Sequence, residues 1–268
     1  MITGSKILSA GIRTGAPPLK IKSGVSGNFE TETRELLRRM TPPPIYDRAV
    51  LINTCIKGLK DYSIWDKIDV LRLDASHSEQ SSLLNWKGDY WNATLDNSPI
   101  FVTDRGWKGS SGNYMKSNFN PSLGGCNYVQ DSAMLMIYMN VIPTYAISNL
   151  IYNTLSTAGA AWVTINVNGY VSGQVNSSVT NTRSSGVLAG VGFNWGRRLN
   201  STGMTHGKNL SGGTPVYVSV PLFNGSFREL NSDYRQAMVC YSSALATATD
   251  LTNFQNTLLT YLTAIGAN

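Results

Sequence analysis

Charge is scarce in this 268-residue chain, where Asp, Glu, Lys and Arg make up 14% of residues. Acid is missing altogether over the 97 positions from Ser132 to Arg228, and the first acidic residue of the chain is Glu30. No run of 18 or more apolar residues occurs, which excludes a membrane-spanning helix and leaves no expectation of membrane insertion. The opening stretch MITGSKILSAGIRTGAPP has no continuous apolar segment, so no secretory signal is expected. Cysteine is limited to Cys55, Cys126 and Cys240, an odd number without a CxxC pair. That usage predicts free thiols in a chain assembled in a reducing compartment. His77 and His206 are the two histidines, and neither has an HExxH setting, so zinc is not expected. GSSG at Gly109–Gly112 does not match the serine-nucleophile elbow, and Gly190, Gly192 and Gly196 do not make a dinucleotide fingerprint. No cofactor is expected.

What is present is small and polar. Asn, Ser and Thr together supply 76 residues, about 28% of the chain, and Gly adds 25 more. This composition disfavours a helical bundle and suits many short strands joined by turns. Five N-x-S/T sequons begin at Asn92, Asn176, Asn200, Asn209 and Asn224, and with no export signal they follow from composition alone.

The net charge of +6 is unevenly placed. Lys6, Arg13, Lys20 and Lys22 precede the first acid, and the acid-free stretch carries Arg183, Arg197, Arg198, Lys208 and Arg228. Such a surface can attract an anionic partner, although a Ser/Thr/Asn-rich surface also simply needs few charges. No recognised module or aromatic–basic interleaving points to nucleic acid.

Residues 1 to about 28 read as a Gly/Ser/Pro-rich basic arm that cannot bury enough apolar surface to order itself. ETETRELLRRM (Glu30–Met40) predicts a short helix with Asn28 as its cap, stopped by Thr41 and three prolines. A second helix is expected over Tyr46–Lys60, with Ala49, Ile52, Ile56 and Leu59 on one face. Trp65, Ile68, Val70 and Leu71 then read as a packed connector into the first strand. From about residue 83 the period becomes 2. Strands are expected at Pro99–Thr103, Tyr114–Ser117, Ser132–Val141, Ala161–Val167, Tyr170–Val175, Gly186–Asn194, Pro215–Pro221, Ser226–Glu229 and Gln236–Tyr241. Asn168-Gly169 signals a two-residue hairpin, and Asn224-Gly225 a second. Ser132–Val141 is apolar on both parities, the mark of a central strand. The C-terminus returns to helix, with Leu251, Phe254, Leu258, Leu262 and Ile265 in register and Thr252/Gln255 as a capping box. The expected fold is therefore mainly β, an antiparallel sandwich with flanking helices near 46–60 and 251–265.

Several segments together resemble one family. They are INTCIKGLKDYSIWDKIDVL (Ile52–Leu71), LLNWKGDYWNAT (Leu83–Thr94), NSPIFVTDRGWKG (Asn97–Gly109), NFNPS (Asn118–Ser122), YRQAMVCY (Tyr234–Tyr241) and YLTAIG (Tyr261–Gly266). Over roughly residues 45–268 the chain resembles bacteriophage and prophage tail or virion structural proteins with a concanavalin A-like (laminin G-like) jelly-roll domain. The resemblance implies a non-enzymatic virion component, of tail-fibre, tail-tip or head-decoration type, assembled in the host bacterial cytoplasm. Residues 1–44 would anchor it to other virion proteins (portal, tail or capsid), with Lys6, Arg13, Lys20 and Lys22 at the contact. Residues 45–268 would present a lectin-like surface to a host glycan or a neighbouring subunit. A homo-oligomer is implied, trimers being common for phage fibres, though no heptad or collagen-like repeat specifies one.

Relatives of this sandwich include glucanases, which makes a tail-associated polysaccharide depolymerase the alternative. Glycoside hydrolysis needs two facing carboxylates. The E-x-D-x-x-E strand signature is absent, and no spacing among Glu79, Asp89, Asp96, Asp104 and Asp131 singles out a dyad. Asp89, Asp96 and Asp104 are the loose candidates for calcium. For glycan binding, the segment Phe193–Asn209, read as a loop, offers Trp195, Arg197, Arg198, His206 and Lys208, and Trp107 marks a second loop. Aromatic rings stack on sugar faces, and guanidinium groups donate bidentately to anionic groups. The alternative is that Trp195 is core and the arginines are ordinary surface.

Overall fold

The computed structural model describes residues 28–110, 112–143, 148–153, 159–166, 168–177, 184–213 and 217–268. Lys6, Arg13, Lys20, Lys22 and Arg183 lie outside the described residues.

Two antiparallel sheets stack face to face, as the alternating pattern requires. Sheet A runs in the order β13 (Ser211–Gly213), β12 (Met204–Lys208), β11 (Gly192–Arg198), β6 (Ala133–Val141), β15 (Arg235–Ser242), β4 (Gly106–Lys108) and β3 (Ile100–Val102). Strand β1 (Ile68–Arg72) also pairs with β15. Sheet B runs β10 (Ser184–Leu188), β9 (Tyr170–Ser177), β8 (Ala160–Ile165), β7 (Ser148–Tyr152), β14 (Arg228–Glu229), β5 (Tyr114–Lys116) and β2 (Thr94–Asp96).

A third layer of helices covers the far side of sheet A. It contains α1 (Thr31–Arg39), α2 (Tyr46–Asp61) and α4 (Ala248–Ala264). A one-turn helix, α3 (Glu79–Ser82), follows β1. Strand β6 explains itself in this setting. Ala133, Leu135, Ile137 and Met139 face sheet B, while Met134, Met136 and Tyr138 face the helices, so both parities must be apolar. At about 1.5–3 kcal/mol for each large side chain buried, a strand with two covered faces anchors both cores. The predicted stripes pack as expected. Ile52, Ile56 and Leu59 of α2 meet Leu251, Phe254, Leu258 and Leu262 of α4 in one cluster with Phe193 and Trp195. Leu36 of α1 and Met40, which sequence reading placed with the arm, enter the same cluster. No helix among the described residues is long and apolar enough to cross a membrane.

Several local expectations are corrected. Gly186–Asn194 is not one strand but the end of β10, a crossover and the start of β11, which opens at Gly192 with φ +120°. The stretch expected as a strand at Pro215–Pro221 makes one isolated bridge, Ser219 to Ser177, among its described residues. Asn166–Tyr170 forms the β8–β9 turn in the expected place. There Gly169 alone has positive φ among the described turn residues, so it is not the two-residue turn read from Asn168-Gly169. No described strand enters Asn224-Gly225 as a hairpin. Instead Asn224 Oδ1 accepts from Asn120 Nδ2 at 2.7 Å. The cap of α4 is Thr247, whose hydroxyl accepts from Asp250 N at 2.9 Å. Thr252 sits inside the helix and Gln255 reaches across to Asn209 O at 2.9 Å. The cap of α1 is Glu30 rather than Asn28. All three cysteines are free, Cys55 and Cys240 buried and Cys126 partly so.

Candidate functional site

The segment Phe193–Asn209 is a β-hairpin, not a loop, and this disperses the residues expected to bind sugar. Successive residues of a strand point to opposite faces. Trp195 and Arg197 therefore face the helices, and Arg198 and His206 face sheet B. Trp195 is 2% exposed, with its indole Nε1 donating to Asn209 O at 2.7 Å. Arg197 lies with its guanidinium 5.3 Å from the Trp195 ring, donates to Thr205 Oγ1 at 2.9 Å, and also donates to Leu245 O. Arg198 is wholly buried and donates to Val175 O at 2.6 Å and Tyr217 O at 2.9 Å. Burial lowers the pKa of both arginines. His206 is wholly buried between Gly173 and Gly196, whose missing side chains leave room for it. Lys208 is part-exposed over Gly190. Trp107 belongs to the core between the sheets, donating to Ser82 Oγ at 2.8 Å. The adjacent arginines do not form a fork, and the tryptophans present no free face.

The carboxylates divide in the same way. Asp89, Asp96 and Asp104 each stand by a different cation: Arg39 at 3.7 Å, Lys116 at 3.0 Å and Arg48 at 2.8 Å. A facing pair does exist, and sequence reading missed it. Asp74, just past β1, and Glu229 of β14 are wholly buried between the sheets. Gln236 Nε2 donates to both, at 2.5 and 2.9 Å. Arg72 donates to Asp74 Oδ1 at 2.5 Å and to Glu229 Oε2, and the Tyr241 hydroxyl donates to Glu229 Oε1. Burial pushes the Asp74 carboxyl up to about 6, against the pull of Arg72. This arrangement sets two acids against one base in an interior closed to solvent. Both acids are wholly buried and bridged by Arg72 and Gln236, so they do not face a cleft that a sugar could enter.

The outer face of sheet B is different. Cross-strand register sets Thr94, Lys116, Arg228, Tyr152, Trp162 and Gln174 side by side across six strands on the face away from sheet A. The row beneath it (Leu95, Met115, Glu229, Ile151, Val163 and Gly173) faces inward. The alternation within β14 thus puts Arg228 outside and Glu229 inside. Trp162 and Gln174 are buried, but Thr94, Lys116, Arg228 and Tyr152 reach solvent. Tyr114, diagonal to Arg228, lies 4.8 Å from the Arg228 guanidinium and 5.7 Å from Lys116 Nζ. The Tyr114 hydroxyl bonds to Asp96; that bond and Lys116 lower the Asp96 pKa, and the bond to Asp96 raises that of Tyr114. Two tyrosines, an arginine and a lysine thus share one solvent-facing patch. A concavity of about 330 Å³ on the helix side, between α1 and residues 86–89, is less open to a ligand. Its Arg39 is bound to Gly88 O and Asn85 O, each at 2.9 Å, and its Lys87 to Trp65 O at 2.7 Å.

No protein-family model matches the chain, and no curated protein matches it in sequence. Solved structures do. The botulinum neurotoxin serotype D binding domain aligns with a TM-score of 0.50 and 11% identity over 75% of this chain and 52% of that one. The receptor binding domain of the botulinum neurotoxin C/D mosaic serotype gives 0.52 and 10% over 74% and 51%. Trypanosoma rangeli sialidase in complex with 2,3-difluorosialic acid gives 0.47 and 9% over 79% and 40%. The chain spans about half the length of the neurotoxin domains it matches. At these identities the likeness to the neurotoxin domains shows the fold alone: an antiparallel β-sandwich of jelly-roll type.

Proposed function

We propose that this chain is a non-enzymatic recognition component of a bacteriophage virion, binding a host surface glycan through the outer face of sheet B. The observation that carries the reading is the solvent-facing cluster of Tyr114, Tyr152, Arg228 and Lys116. Flat rings for stacking and charged donors for hydroxyl and acid groups stand there on rigid strands. The sandwich fold supports it, and the virion assignment rests on the sequence segments given above. The binding part is tested on a glycan array with the Tyr114→Ala/Tyr152→Ala variant. Loss of every signal given by the parent chain is expected, and an unchanged pattern overturns the assignment of the face. The docking part is tested by removing residues 1–28, which leaves a folded chain that fails to join particles; normal incorporation overturns it.

The second reading is a polysaccharide depolymerase, and Asp74 and Glu229 are the facing pair it would need, but both are wholly buried and closed to substrate, which weighs against it. A reducing-sugar assay on host capsule with Asp74→Asn and Glu229→Gln decides between the two. The non-enzymatic reading expects no release of reducing ends from the parent chain.

A further inference from the structure

The acid-free stretch has a structural counterpart. Strands β7, β8, β9 and β10 and Arg228 of β14 all fall within Ser132–Arg228, and β5 has no acid either, so five of the seven strands of sheet B carry none. Two acids remain in this sheet, Asp96 and Glu229. Glu229 points inward to Arg72 and Tyr241. Asp96 is taken by Lys116 at 3.0 Å and by the Tyr114 hydroxyl. Among the described residues, no carboxylate lies within ion-pair distance of Arg228, which is exposed. Its guanidinium rests against the Tyr114 ring, and Tyr152 is its cross-strand partner in β7. The plane of the fork is thereby held while its donors stay open to solvent.

We infer that the face selects glycans bearing carboxylate or sulfate groups, with Arg228 as the residue that receives the anion and Tyr152 beside it against the sugar ring. This rests on the glycan-binding reading above. A neutral sugar would use the rings but leave the guanidinium without an anionic partner. An acidic one gains a charge-assisted, bidentate contact from a guanidinium that makes no ion pair of its own among the described residues, Asp96 being held by Lys116. Nucleic acid is a weaker fit, because the described face has no run of cations to follow a phosphate backbone.

The test measures binding of the full chain to polygalacturonate and to heparin, each beside its neutralised counterpart, the fully methyl-esterified and the desulfated polymer. At least tenfold tighter binding of one acidic polymer than of its neutral form is expected, weakening with salt. Arg228→Ala should remove that difference, while Arg38→Ala, an exposed cation on α1, should leave it unchanged. Equal binding of acidic and neutral forms, insensitive to Arg228→Ala, overturns the anion selectivity and leaves the glycan reading standing. Absence of binding to any of the four polymers and to a neutral glucan sinks both. A DNA duplex bound as tightly as the best polymer, with the same dependence on Arg228, overturns the glycan class in favour of a general polyanion surface.

Discussion

Arg72 and Glu229 meet across the interior of the sandwich, the guanidinium Nη2 donating to the carboxylate Oε2, and neither side chain is exposed to solvent. Asp74 shares the same guanidinium, so the cluster holds two acids against one base. Taking out the base strands two carboxylates in a dry interior, which costs about 3–5 kcal/mol. Arg72→Met should therefore lower the urea midpoint steeply. Replacing Arg72, Asp74 and Glu229 together by apolar residues of similar size should restore most of the loss, because no charge is then left uncompensated. A single Arg72→Met variant as stable as the parent chain would contradict this account.

The surplus acid gives the cluster a pH dependence. Burial raises the Asp74 carboxyl from its ordinary 3.8 to about 6, so the folded chain holds that proton more tightly than the unfolded chain. The stability linked to it is full below about pH 4 and is lost as pH rises through about 6. At the two linked pKa values it amounts to as much as about 3 kcal/mol. Asp74→Asn removes this titration. Unfolding free energies of parent and variant, measured across this range, should differ by an amount that changes with pH up to about 6 and then levels off. A difference independent of pH would show that Asp74 does not titrate there.

Elements with a long period were legible in the sequence, and the sites were not. The α4 stripe and the double-sided apolarity of β6 repeat over nine or more residues, enough for a period to declare itself. β2, β4 and β13 have three residues each and β14 two, too few to show alternation. β12 was hidden because His206, Gly207 and Lys208 read as turn chemistry, although His206 is buried where Gly173 and Gly196 leave space. Arg72 and Glu229 lie 157 positions apart, and their pairing exists only through sheet topology. The outer patch left one trace, the alternation Tyr114-Met115-Lys116 about a buried methionine. Its partners Tyr152 and Arg228 come from remote segments.

Backbone crowding makes a separate test at Gly106. This residue sits at φ +93° in β4, and a β-carbon there would lie 2.0 Å from Gln236 O of the neighbouring strand. Gly106→Ala must strain φ and push β4 away from β15, a combined loss of about 3 kcal/mol or more. Gly112 also has positive φ, at +83°, but nothing lies within 4 Å of its would-be β-carbon. Gly112→Ala should cost about 1 kcal/mol, from φ strain alone. Thermal or urea unfolding of the pair separates crowding from strain, and equal losses would refute the close approach of β4 to β15.

Arg197 and Arg198 supply the sharpest test of where the binding surface lies. Neighbours in sequence, they point into different cores, one over Trp195 and the other against Val175 O and Tyr217 O. Arg198→Ala leaves the buried Val175 carbonyl and the part-buried Tyr217 carbonyl without their charged donor and should cost about 2–3 kcal/mol. Arg197→Ala, at a part-exposed position, gives up a ring contact and its bonds to Thr205 and Leu245, about 1–2 kcal/mol. Neither side chain reaches the outer face of sheet B, so at temperatures where both variants are folded their glycan affinity should equal that of the parent chain. Affinity lost in step with either substitution, with unfolding unaffected, would move the recognition surface back to the β11–β12 hairpin.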